Sequence, residues 1–294
     1  MTIRKNLRNW LLRHPQINPY SMRNVGLSRL LTSNSRVLPN FLIIGAMKAG
    51  STTFHQYVNN HPNVISASIK EVHYFDYYFG SNFWYRSNFP KKNEMIKNGI
   101  TYLTYDATPQ YLFHPLTPKR VFELMPKIKL LCILRNPIDR AFSHYNHNVR
   151  NGNESLSFED AIFRRDKKLD QEYKNIISNN DCDIVFYERY NYLKLGKYAE
   201  HLSEWFKFFP KDKFFICKTE DLSSYTLKKS YEFLGLPPYD PGKIASLNTA
   251  KYGTMNESTR EKLNKFFKPH NSKLSTLLNM EFNWEWKFNL FFIY

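Results

Sequence analysis

Three features of the 294-residue sequence predict an α/β domain with a mostly parallel central sheet flanked by helices. Short apolar, β-branched runs recur along the chain. Stretches with helical spacing separate them. The first run ends in a glycine-containing loop that leads straight into a helix-spaced segment. Parallel strands joined by crossover helices require this alternation.

Residues 1–40 read as a basic N-terminal arm, with Arg4, Lys5, Arg8, Arg13, Arg23, Arg29 and Arg36 and no acidic residue. Leu7, Trp10, Leu11 and Leu12 give one short amphipathic turn, too short an apolar face for an interfacial anchor, so the arm is expected to rest loosely on the domain. The domain proper spans 41–294. Phe41-Leu42-Ile43-Ile44 is a buried strand by length and branching, ending at Gly45. Gly50-Ser51-Thr52-Thr53 follows, then Phe54, Tyr57 and Val58 at helical spacing. Further strands are expected over 64–66, 101–105, 128–134 and 213–217. Helices are expected over 117–125, 138–150, 157–166, 190–208, 225–234 and 257–267. The polar stretch 151–189 reads as a solvated surface excursion rather than a cover over a site.

Composition removes several classes. An aromatic content of 17% excludes whole-chain disorder, and only 10 Gly and 15 Pro exclude a collagen-like fibre. No apolar run of about 18 residues is present, so no transmembrane segment is expected, and no apolar leader core marks a secretory signal. Cys132, Cys182 and Cys217 are too scattered for a disulfide framework or a zinc site. A reducing, cytoplasmic location is the expectation. The formal charge of +16 favours anionic partners: nucleic acid, phospholipid, or phosphorylated and sulfated small molecules.

The segment Gly45-Ala46-Met47-Lys48-Ala49-Gly50-Ser51-Thr52-Thr53 narrows the choice. A strand–loop–helix junction presents backbone N–H groups at a helix N-terminus, a geometry that binds phosphate. Gly45 and Gly50 have the spacing of G-x-x-x-x-G-K-[ST], but Ser51 stands where the lysine would be, and the cation sits at the loop apex as Lys48. The strand over 128–134 ends in Arg135 rather than in an Asp that would hold Mg²⁺. Two cations without a metal ligand suit a nucleotide bound without metal. An ordinary β–α turn is the alternative reading of the loop alone.

With the rest of the chain, these residues resemble the sulfotransferases that use 3′-phosphoadenosine 5′-phosphosulfate (PAPS), closest to the branch of heparan sulfate O-sulfotransferases and their bacterial relatives. Residues 43–52 resemble the family's 5′-phosphosulfate loop, and Ile133 to Tyr145 its 3′-phosphate motif. His61-Pro62 followed by Lys70-Glu71-Val72-His73-Tyr74-Phe75-Asp76 is similar to the acidic catalytic segment. The ordered matches continue through Asp106-Ala107-Thr108-Pro109, Glu154–Phe158, Gly196-Lys197-Tyr198 with Trp205, Glu220-Asp221-Leu222 and Phe233–Pro237, covering roughly 38–290.

The resemblance implies a P-loop-like sulfotransferase fold, PAPS as co-substrate with 3′-phosphoadenosine 5′-phosphate (PAP) as product, and no metal. It puts the 5′-phosphosulfate on Lys48, Ala49, Gly50, Ser51, Thr52 and Thr53, and the 3′-phosphate on Arg135 and Ser143. The late Lys-Gly-Arg loop of the family corresponds to Lys251-Tyr252-Gly253-Thr254, without the arginine. Ala107 stands where the heparan enzymes carry a lysine that assists at the acceptor.

The implied chemistry is in-line transfer to a hydroxyl or amine of a glycan or small-molecule metabolite. Lys48 would neutralise the leaving phosphate oxygen and Glu71 would be the general base, with His73 as the second candidate. If their segment is a strand, Glu71 and His73 share a face. Of the aromatic residues after Glu71, most are expected in the core and two or three at the acceptor. A nucleotide kinase, a basic single-stranded nucleic-acid-binding protein and a donor-binding protein without turnover are the alternatives. Nucleic acid is not expected as a partner, because mere basic-aromatic composition does not place Lys48, Arg135 and Ser143 in register.

Overall fold

The computed structural model describes residues 26–163, 166–178, 184–243 and 253–284. Its strands are β1 (Phe41–Gly45), β2 (Val64–Ser66), β3 (Ile96–Lys97), β4 (Ile100–Thr101), β5 (Leu103–Ala107), β6 (Lys129–Leu134) and β7 (Phe214–Lys218). Five of them form one sheet in the order β2-β5-β1-β6-β7, and every neighbouring pair is parallel. The chain leaves β1 for β2 and β5 on one side, then crosses to β6 and β7 on the other. In such a sheet ligands sit beyond the carboxyl ends of the strands where the direction reverses, which is here beside β1. Every residue of β1 is buried, because helices cover both faces of the sheet.

The helices are α1 (Leu27–Leu31), α2 (Ser51–Asn59), α3 (Asn82–Ser87), α4 (Thr117–Leu124), α5 (Pro137–Arg150), α6 (Phe158–Phe163), α7 (Asp166–Ile177), α8 (Ile184–Tyr190), α9 (Tyr198–Phe206), α10 (Ser224–Leu234) and α11 (Glu257–Leu278). Residues 26–40, assigned from sequence to the arm, lie on the domain. Leu30 and Arg36 are buried, and the Arg29 and Arg36 guanidinium groups both donate to the Phe89 carbonyl, at 3.0 and 2.7 Å. Residues 1–25 lie outside the described residues.

Several expectations are corrected. The run over 101–105 is split, because Asn98 and Gly99 adopt φ 51° and 76° and turn a small β3–β4 hairpin before β5 begins. Residues 190–208 are not one helix. A 3₁₀ turn over Lys194–Gly196 precedes α9. Residues 257–267 continue to Leu278 through Pro269, since Leu263, Phe267 and Leu274 keep one buried stripe. Most of 151–189 is not a solvated excursion: Leu169, Ile176, Ile184 and Tyr187 bury together on α7 and α8, with Tyr77 and Leu116 packed against them.

Gly196 sets the spacing of α5 against α11. A Cβ there would lie 2.9 Å from Pro137 Cβ and 2.9 Å from Phe267 Cε1. Gly196→Ala is therefore expected to destabilise the protein by roughly 1–3 kcal/mol through overpacking. The midpoint of urea unfolding checks this, and an unchanged midpoint would show that the contact relaxes freely.

Candidate functional site

The carboxyl end of β1 runs into a loop that its own backbone closes. Ala46 N–H donates to the Ile133 carbonyl of β6 at 2.7 Å, and Ala49 N–H to the Ala46 carbonyl at 3.1 Å. Gly45 packs so closely on Leu112 that a Cβ would lie 2.7 Å from the Leu112 Cβ. Gly50, at φ 84°, is the N-cap of α2. That left-handed turn suits glycine. Gly50 has no side chain to cap α2, and the first turn carries no acid. The amides of a first helical turn have no intrahelical acceptor, so this end is electropositive and open to an anion. Ser51 and Thr53 are buried, and the Thr52 hydroxyl accepts from Lys70 Nζ at 3.0 Å.

Thr219, just past β7, locks the loop in place. Its hydroxyl lies 2.5 Å from the Ala49 carbonyl and 2.9 Å from the Leu134 carbonyl, joining the loop to the end of β6. There Arg135 donates from Nη1 to the Lys48 carbonyl at 3.3 Å. The Arg135 carbonyl accepts from the Tyr198 hydroxyl at 2.9 Å, which gives the Gly-Lys-Tyr segment its role. Asn136 caps α5 by accepting from Ile138 N–H, and Pro137 occupies the first helical turn. Ser143 lies on α5 and is half-buried.

Lys48 is half-buried. Burial holds its amine below the usual lysine range, and the Arg150 and Arg135 charges push the same way, with Glu71 opposing. Cations that crowd one another in this manner at an uncapped helix end are relieved by a bound anion.

Glu71 and His73 come from the segment after β2, which is not a strand. The expectation that a strand face would bring them together is replaced by two left-handed turns, φ 62° at Glu71 and 57° at His73. With Lys48 at φ 65°, the three sequence-derived catalytic candidates are three of the five described non-glycine residues with positive φ; the other two are turn and helix-end asparagines. Side chains disfavour this region, so the surroundings must hold it. They do so from the end of β5. Glu71 N–H donates to the Ala107 carbonyl at 3.1 Å. His73 N–H reaches Thr108 Oγ1 at 3.4 Å, and Tyr74 N–H donates to the Tyr111 hydroxyl at 2.9 Å. Both hydroxyls in turn donate to the Asp106 carboxyl, at 2.7 and 2.8 Å, joined by Tyr85 at 3.2 Å. Burial pushes that carboxyl up to about 6 against the pull of its three donors.

The side chains of the segment form a chain of contacts. Lys70 Nζ lies 3.2 Å from Glu71 Oε1, and His73 Nε2 lies 4.0 Å from Glu71 Oε2. His73 Nδ1 pairs with Asp76 Oδ2 at 2.8 Å. Burial alone would lower the imidazole, but the Asp76 carboxylate outweighs it and, with Glu188 and Glu71, holds His73 at about 9. His73 therefore carries its proton at neutral pH, which suits a donor or an orienting cation better than a proton acceptor. Tyr74, Phe75, Trp84, Tyr85 and Phe89 are core, as expected of most of the aromatic block, while Tyr77 and Tyr78 are half-buried.

The structure thus brings Lys48, Ala49, Gly50, Ser51, Thr52, Thr53 and Arg135 to one end of the sheet, and the Lys70 contact ties Glu71 and His73 to it. Gly253 and Thr254 are exposed and precede α11, while Lys251 and Tyr252 lie outside the described residues. Among the described residues no cluster of three or more metal-ligating side chains occurs. Sequence reasoning assigned no role to Thr219, Asp76 or Glu188. Asp106 and Thr108 were visible only as part of a motif.

The His73–Asp76 pair fixes a pH dependence. A folded-state pKa of about 9 against an ordinary 6.5 stabilises the fold fully below pH 6.5, and the contribution is lost as pH rises through about 9. The loss is expected to reach about 3 kcal/mol at most. Urea unfolding of the wild type and Asp76→Asn on both sides of this window checks it: the variant should lose less stability than the wild type, and equal losses would refute the pairing.

Comparison with known proteins gives this geometry a family. The sulfotransferase domain matches residues 38–278. The chain is 26% identical to the membrane-associated sulfotransferase kil1 of Dictyostelium discoideum, over 84% of this chain and 67% of that protein. It is 28% identical to heparan sulfate glucosamine 3-O-sulfotransferase 5 of Mus musculus, over 84% and 74%. The human bifunctional heparan sulfate N-deacetylase/N-sulfotransferase 2 is 27% identical over 82% of this chain, which spans only 30% of that longer protein. A sulfotransferase structure from Alicyclobacillus acidocaldarius superposes with a TM-score of 0.67 at 24% identity, covering 84% of this chain and 99% of the other, and so supports the fold. A domain match that spans β1 to the end of α11, on a sheet whose β1 loop and Arg135 meet at one end, makes the chain a member of the sulfotransferase family.

Proposed function

We propose that the protein transfers a sulfuryl group from PAPS to a hydroxyl or amine of a glycan or small metabolite. The observation that carries this reading is the meeting of an uncapped helix N-terminus with Lys48, Arg135 and Arg150, linked through Lys70 to a carboxylate, Glu71. The donor supplies an activated sulfur already bonded to a good leaving phosphate. The first-turn amides of α2 and Lys48 hold the 5′ end, with Lys48 offsetting the charge that grows on the leaving oxygen. Arg135 and Ser143 take the 3′-phosphate, for which the planar guanidinium is well suited. Glu71 accepts the acceptor's proton as the new S–O or S–N bond forms and the S–O bond to phosphate breaks. His73, protonated, orients Glu71 from Nε2. The relatives named for heparan sulfate support a glycan acceptor, while Ala107, which is buried, offers no cation of its own.

Calorimetric titration with PAP, adenosine 5′-phosphate and ATP, each with and without Mg²⁺, tests the donor site. Metal-independent binding that needs the 3′-phosphate is expected, and a preference for Mg-ATP would make the protein a kinase. Lys48→Ala should slow transfer roughly 10²–10³-fold. Glu71→Gln should remove most transfer while PAP affinity stays within a few fold; near-normal turnover would exclude Glu71 as the base.

A further inference from the structure

Behind His73 lies a buried carboxyl with no part in the scheme above. The His73 ring stacks flat on Tyr77, centroids 4.5 Å apart and planes 7° from parallel. The Tyr77 hydroxyl donates a short hydrogen bond to Glu188 Oε2. Glu188 is carried by α8, is only 7% exposed, and its Oε1 has no hydrogen-bond partner among the described residues. A purely structural tether would not call for this. Burying a carboxyl with one unsatisfied oxygen is costly, and a neutral acceptor would hold the phenol without that cost.

We propose that Glu188 is a positioning residue: through the Tyr77 ring it fixes the plane of the His73 imidazole, and through His73 it sets the Glu71 carboxylate. This rests on the transferase reading for its purpose but not for its geometry. Three carboxyls (Glu71, Asp76 and Glu188) surround one imidazole. Asp76 holds Nδ1, Glu71 faces Nε2, and Glu188 acts through the stacked ring. Burial raises the Glu188 carboxyl to about 8, so it is ionised in the range where His73 titrates; there its hydrogen bond places negative charge at the rim of the phenol, and an electron-rich face favours the imidazolium over the neutral ring. The ionisable groups facing Glu188 are Asp76, His73, Tyr77 and Glu71; burial and Asp76 raise its own pKa, and His73 opposes them. Glu188 is among the charges that hold the His73 proton. The device also explains why the buried α7–α8 layer packs against Tyr77: it delivers the carboxyl.

The test needs no acceptor. Histidine ring signals of ¹⁵N-labelled protein are followed by NMR across pH, with His73 assigned from a His73→Asn sample. In Glu188→Gln, which keeps an acceptor for the phenol but no charge, the His73 midpoint is expected to fall by roughly half a pH unit or more. Tyr77→Phe, which keeps the stack but cuts the link, should broaden or split the His73 signals. Slow transfer of the sulfuryl group of PAPS to water should lose rate in both variants with PAP affinity unchanged. An unmoved midpoint in Glu188→Gln together with unaltered ring signals in Tyr77→Phe would overturn the proposal. If Glu188→Gln fails to fold, Tyr77→Phe alone decides it. Failure of the wild type to bind PAP would instead sink the transferase reading, while the midpoint shift would still report on Glu188.

Discussion

The site depends on one buried carboxyl, Asp106 at the end of β5. It sits beside the central strand β1, fully enclosed, and three hydroxyls donate to it. Two of these, on Thr108 and Tyr111, turn outward to catch the backbone N–H groups of His73 and Tyr74. Left-handed backbone at a glutamate and a histidine is disfavoured by sterics and needs such anchoring. A carboxyl that accepts from several donors is a stiff anchor, because losing any one leaves a polar group unsatisfied in a dry place. The segment that carries the proposed base is thereby fastened to the sheet rather than to the surface.

The donor side is held by a different means. Its loop is clamped by backbone groups and by Thr219, and its Lys48 has no carboxylate partner among the described residues nearer than Glu71. The Arg150 and Arg135 charges both press on Lys48, and Gly50 gives the start of α2 no side-chain cap. A site organised this way is less comfortable empty than filled with an anion, which is the electrostatic arrangement expected of a preformed nucleotide pocket. The carboxylate side is the inverse: three carboxyls gathered around one imidazole.

How much of this could be read from the sequence follows from how local each signal is. The β1 loop, Arg135 and the start of α5 are legible because strand, glycines and cation lie within a few residues of one another. Buried parallel strands also write themselves as apolar runs. The α7–α8 layer was not legible: its four buried residues are diluted among charged ones, so composition resembles a surface stretch. Nor were the supporting polar contacts. Tyr77 and Glu188 are 111 residues apart in the chain, and Thr219 and Ala49 are 170 apart. Such pairs leave no periodic trace. Glu71 and His73 show the same limit from the other direction. They were visible in a motif, yet the strand that would have united them is absent, and their meeting depends on turns held by the Ala107 carbonyl and the Asp106 network.

The two halves of the site are joined by Lys70. Its ammonium sits between Glu71 Oε1 at 3.2 Å and Thr52 Oγ1 at 3.0 Å. At a partly exposed position such a contact contributes little to stability, since solvent screens it and side-chain entropy opposes it. Its consequence is geometric. Thr52 lies in the first turn of α2, where the donor would be held, and Glu71 is the base proposed to face the acceptor. In-line transfer requires attacking and leaving groups on opposite sides of one atom, so the separation of base and donor cradle matters more than the strength of either. Lys70 bridges the two groups across that separation. His73, held by Asp76 on one edge and stacked on Tyr77, meets the other Glu71 oxygen from Nε2 at 4.0 Å, so the carboxylate is flanked by the donor-side lysine and by a ring fixed from behind.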